Sequence, residues 1–60
     1  MNVQFVDKRN PTGTPLLTVV LHSPPSVGDH VTLNGRSAVV RSVHWVLGGD
    51  DGPHVAVVVE

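Results

Sequence analysis

Valine occupies 14 of the 60 positions in this chain, and no other feature narrows its fold as much. A side chain branched at Cβ is stiff about χ1 and crowds the preceding turn of a helix, whereas it packs well on a pleated, half-buried surface. The chain is therefore expected to be all-β, with no helix long enough to matter. At this length it should form one domain, residues 1–60, near the lower limit of independent folding, where only about 60% of the extended-chain surface becomes buried. Outside support is then expected. With no cysteine to form a disulfide, that support is left to a metal, a ligand or self-association.

Five strands can be read from alternation and turn chemistry. Val3 and Phe5 alternate with Asn2 and Gln4, which gives a first strand running to Asp7, and Lys8 to Gly13 reads as a loop because Pro11 fixes φ. The second strand is expected over Thr14–His22, with Leu17, Val19 and Leu21 on one face. Ser23-Pro24-Pro25-Ser26 ends it, since neither proline can donate to a ladder. A short third strand, His30–Leu33, precedes Asn34-Gly35, a pair that tolerates the positive φ angles of a type I′ turn and predicts an antiparallel hairpin. The fourth strand is expected over Ser37–Leu47 and the fifth, after the Gly48–Gly52 turn, over Pro53–Glu60.

Val40, Val43 and Trp45 look like core residues but are spaced three and then two apart. A bulge near Arg41-Ser42 reconciles them, placing Ala38 and Val40 inward before it and Val43, Trp45 and Leu47 inward after it. The expected core is Val3, Phe5, Leu17, Val19, Leu21, Val31, Leu33, Val40, Val43, Trp45, Val55, Val57 and Val59. This assignment leaves Leu16, Val20, Val39, Val46, Ala56 and Val58 on the opposite faces. A solvated antiparallel face should be polar, so self-association across that apolar remainder is expected.

The segment Pro25-Ser26-Val27-Gly28-Asp29-His30-Val31-Thr32-Leu33-Asn34-Gly35, followed by Val40, Val43 and Trp45, resembles the loop, hairpin and bent strand of SH3-like small barrels. The resemblance covers about a third of the chain and implies a five-stranded SH3-like barrel with antiparallel hairpins. It differs from the RNA-contacting KOW type, whose loop carries glycines and basic residues where this chain has Ser37-Ala38-Val39. In size and style the chain also looks like small bacteriophage accessory proteins, some of which block host defence by binding host proteins or nucleotide signals.

The net charge of −1 gives no general attraction to nucleic acid or to an anionic membrane, so any anion site must be local. No apolar run of membrane-spanning length occurs, and the first residues lack the pattern of a signal peptide, so a cytoplasmic protein is expected. His22, His30, His44 and His54 have no metal-motif spacing and read as strand histidines; no metal and no cofactor are expected. Serine and histidine form no recognisable nucleophile–base constellation, Asp50-Asp51 reads as a solvated turn, and Thr12-Gly13-Thr14-Pro15 lacks the strand-to-helix context of a phosphate loop.

What remains is binding. Lys8, Arg9, Arg36 and Arg41 are the only cations of the chain, and arginine can grip phosphate or carboxylate with two parallel hydrogen bonds. With His44 and Trp45 they form the candidate ligand-binding set. The expectation is a non-catalytic homo-oligomer of phage type that binds or sequesters a small anionic, nucleotide-like ligand at a subunit interface. The alternative is a module that inhibits a host protein through a sheet edge or loops. A nucleic-acid-binding barrel is a further alternative, disfavoured by the negative charge and by having only Phe5 and Trp45 as aromatics.

Overall fold

A computed structural model describes residues 1–11 and 13–60. Its regular elements are all strands: β1 (Asn2–Asp7), β2 (Leu17–Val20), β3 (His30–Leu33), β4 (Arg36–Val46) and β5 (His54–Val59). They form one sheet in the order β2-β1-β5-β4-β3, curled into a nearly closed barrel compatible with an SH3-like architecture. The barrel is open between β2 and β3. No helix among the described residues is long and apolar enough to cross a membrane.

The Asn34-Gly35 turn has the conformation its residues favour, with φ of 52° and 83°, and it pairs β3 with β4 from Leu33↔Arg36 to His30↔Val39. The bulge also falls where the spacing of apolar residues demanded it. Along β4 the register with β5 shifts between Val40 and Ser42, so Arg41 is the extra residue and stands exposed while Val40 and Val43 both face inward. One pairing departs from the expected hairpins. β1 and β5 are neighbours and run parallel, from Val3↔Val55 to Asp7↔Val59, so the sheet is mixed. The regular part of β2 is shorter than the run Thr14–His22, because Pro15 has no N–H to donate and residues 13–15 belong to the connector.

Val3, Phe5, Leu33, Val40, Val55, Val57 and Val59 form the buried cluster, flanked by Leu17, Val19, Leu21, Val31, Ala38 and Val43. Each buried valine contributes on the order of 1.5–3 kcal/mol relative to exposure. Trp45 and Leu47, expected inside, are 57% and 77% exposed. Trp45 does lie on the core side of the sheet, opposite Val55, but next to the last residue of β4, where it borders an open hollow at the end of the barrel. The reverse error concerns Val6, which alternation places outside yet is only 4% exposed. Pro11, Gly13 and Pro15 of the β1–β2 connector arch over this outer face, across a hollow from Gln4, Val6, Val46 and Ala56. Val46 and Ala56 beneath it are half-buried, as are Val39 and Val58, and of the expected outward set only Leu16 and Val20 are exposed.

Candidate functional site

Parallel pairing of β1 with β5 brings the C-terminal ends of both strands to the same end of the barrel. Asp7 lies beside Val59, and Val59 in turn lies beside Val40 of β4. Residues just past these positions are thereby forced together: Lys8 and Arg9 after β1, Glu60 after β5, and Arg41 at the bulge. Glu60 is the hub. Its Oε2 is 2.9 Å from Lys8 Nζ and its Oε1 is 3.1 Å from Arg41 Nε. The Lys8 backbone N–H donates to the Val59 carbonyl at 2.9 Å, and the Arg9 N–H donates to Asp7 Oδ1 at 2.8 Å, which fixes the direction of the loop.

Arg36, at the start of β4, reaches the same place. Together with Asp7, Lys8, Arg9 and Glu60 it walls a cleft of about 430 Å³. Next to this cleft lies a smaller, largely apolar hollow of about 200 Å³, lined by Leu16, Leu33, Ala38 and Val59 with Asn34 and Ser37 at its edge. The two spaces share Asp7, Arg36 and Glu60. All four lysines and arginines of the chain thus gather at one end, against two carboxylates. Among the described residues Arg9 and Arg36 have no carboxylate partner. The Glu60 carboxyl is held below its ordinary 4.5, first by the hydrogen bond from Lys8 and then by the charges of Arg41 and Lys8, with partial desolvation acting the other way.

The other two candidate residues are elsewhere. Trp45 is nine residues along β4 from Arg36, roughly 30 Å of extended strand, and lines a different hollow at the opposite end of the barrel. His44 is exposed on β4, with its Nε2 at 3.0 Å from Ser42 Oγ. His54 contacts the Gly52 carbonyl through Nδ1 at 2.9 Å. Among the described residues no three His, Asp or Glu side chains converge as a metal set would require, and no polar or charged side chain is buried.

Sequence reasoning missed Asp7, Glu60 and the apolar lining of Leu16 and Leu33. No local spacing could have revealed them, because they meet only through the parallel β1–β5 pairing and the curl of the sheet. Fold and site together define a small, nearly closed five-stranded barrel with a basic cleft beside an apolar hollow. No known protein family, curated protein or solved structure matches the chain.

Proposed function

We propose that this chain is a non-catalytic binding protein for a small anionic ligand with an apolar ring, a nucleotide-like molecule being the simplest example. The observation that carries the reading is the gathering of Lys8, Arg9, Arg36 and Arg41 around Glu60, next to a hollow lined by Leu16, Leu33, Ala38 and Val59. Phosphate oxygens would be held by Arg9 and Arg36, whose guanidinium groups are free to make paired hydrogen bonds. A flat ring would enter the apolar hollow, where Asn34 and Ser37 supply polar groups at its edge. Glu60 competes with the ligand for Lys8 and Arg41, so binding has to displace or share it.

The arrangement suits binding better than turnover, since among the described residues no nucleophile–base pair and no buried polar side chain adjoins the cleft. Sequestration of a ligand is also the role that the likeness to phage accessory proteins implies, and that likeness alone suggests a viral source. The test is calorimetric titration with ATP and with inorganic pyrophosphate at low and high salt. ATP should bind more tightly than pyrophosphate, Arg9→Ala with Arg36→Ala should remove binding, and Glu60→Gln should strengthen it. Unchanged affinity in the double variant would sink the reading.

The alternative, a module that engages another protein through a sheet edge, has its own observation. The Met1 α-ammonium donates to the Leu21 carbonyl at 2.8 Å and the Leu21 N–H donates to the Met1 carbonyl at 2.9 Å, so by antiparallel alternation Val20 turns its N–H and C=O away from β1. The β2 edge carries no charged residue that would discourage a visiting strand.

A further inference from the structure

Large exposed apolar side chains concentrate at the end of the barrel opposite the cations. Met1, Val20, Trp45 and Leu47 are 44%, 75%, 57% and 77% exposed and line a single hollow whose floor includes Val55, itself 1% exposed. Trp45 shares the core side of the sheet with Val55. The hollow therefore adjoins the end of the barrel core: Trp45 and Val55 face inward within the β4–β5 pairing, and Val20, paired with Asn2, borders them from the outer face of β2.

The chemistry of this end selects the kind of surface that would cover it. Among the described residues no Lys, Arg, Asp or Glu side chain lines the hollow. The one cation there is the Met1 α-ammonium, already donating to the Leu21 carbonyl at 2.8 Å, which gives nucleic acid or an anionic bilayer little to hold, whereas the buried centres of protein interfaces are depleted in charge and enriched in Trp and Met.

Area and shape favour a second copy. From the exposed fractions, the four side chains offer roughly 450 Å² of apolar surface, well into the range of the largest patch a monomer carries. A standard interface covers ~800 Å² per partner, of which about 56–65% is apolar, or roughly 450–520 Å². One such face on each of two chains supplies that amount with nothing left over. The face also carries both projections and a recess: Leu47 and Trp45 stand beside a hollow of about 330 Å³. A two-fold contact requires such self-complementarity, because each copy must present both the projection and its receptacle.

We propose that the Trp45-bearing end of the barrel is a homodimer face, on which a second copy of this chain covers Met1, Val20, Trp45 and Leu47 about a two-fold axis. The interface shares only Val20 with the outer sheet face expected from alternation, which the β1–β2 connector partly covers. It is also independent of the anion site at the other end. Trp45 is the only tryptophan, so its emission reports on this face directly.

The test is sedimentation velocity with tryptophan fluorescence over a dilution series from high to low micromolar. The parent should be a dimer that dissociates on dilution, with the emission maximum moving to the red. Leu47→Asp and Val20→Asp should each weaken the dimer roughly 100-fold or more while the circular dichroism spectrum and ATP titration stay unchanged. Both positions are largely exposed, so substitution there leaves the monomer fold intact. Val27→Asp, exposed but outside the hollow, should leave the dimer unaffected. A parent that stays monomeric throughout, with constant emission, overturns the proposal. So does a dimer that survives both aspartates, or an indole that becomes buried only when a different protein is added.

Discussion

The Asn34-Gly35 turn gives the sharpest quantitative test of the fold, because its geometry separates backbone strain from packing. Gly35 has φ of 83°, and a Cβ added there would meet nothing within 4 Å. Any cost of an L-residue must then come from the backbone. The left-handed region costs an L-residue about 1–2 kcal/mol, whereas replacing glycine stabilises by about 0.4–1 kcal/mol through the unfolded chain, so Gly35→Ala should lose roughly 1 kcal/mol net. Gly35→Val should lose more than 1 kcal/mol, since a β-branched residue tolerates positive φ least. A D-alanine in place of Gly35, introduced by chemical synthesis, reverses the sign: its preferred φ is positive, so only the gain of ~0.4–1 kcal/mol remains. Urea denaturation at one fixed protein concentration, with a slope near 1 kcal/mol/M, would show the midpoint falling by about 1 M for alanine and rising by up to about 1 M for D-alanine. Gly48 is the control, having no positive φ and open space around it, so Gly48→Ala should not lower the midpoint. Equal midpoints for parent, Gly35→Ala and Gly35→Val would refute the type I′ turn and the β3–β4 register built on it.

Three further outcomes follow from burial and charge. Val6→Ala should cost roughly 1–3 kcal/mol by opening space beneath the connector, whereas Val27→Ala at an exposed site should stay within about 0.5 kcal/mol; equal thermal midpoints would mean that the connector does not cover β1. Trp45→Ala should retain its far-ultraviolet circular dichroism and lose far less than the ~3–5 kcal/mol of a buried aromatic, and a variant that cannot fold would return the ring to the core. Glu60, whose carboxyl titrates below 4.5 in the fold, adds stability that is fully present above its unfolded pKa and is lost as pH falls through the lowered folded value. Stability measured from pH 7 downward should therefore fall more steeply for the parent than for Glu60→Gln in that acid window, and identical profiles would rule out the Lys8–Glu60–Arg41 pairing in solution.

Local signals set the turn and the bulge, though not the ends of β2. Asn34-Gly35 specified its turn because both residues accept positive φ, and the three-then-two spacing of Val40, Val43 and Trp45 located the bulge at Arg41 because a pleat alternates strictly. Valine content and period-two alternation likewise determined the all-β class and the inward faces of β1 and β5. Alternation assigns a side to each residue, but it does not say what stands opposite. Trp45 faces the core side yet borders an open hollow at the end of the barrel, and Val6 faces outward yet is roofed by the connector. The candidate site shows the same division more strongly. The sequence supplied four cations on segments far apart along the chain, and it separated none of them from Trp45 and His44. Only the parallel pairing of β1 with β5, a contact between opposite ends of the sequence that no local pattern encodes, drew Lys8, Arg9 and Arg41 around Glu60, brought Arg36 to the same cleft, and left the tryptophan at the other end.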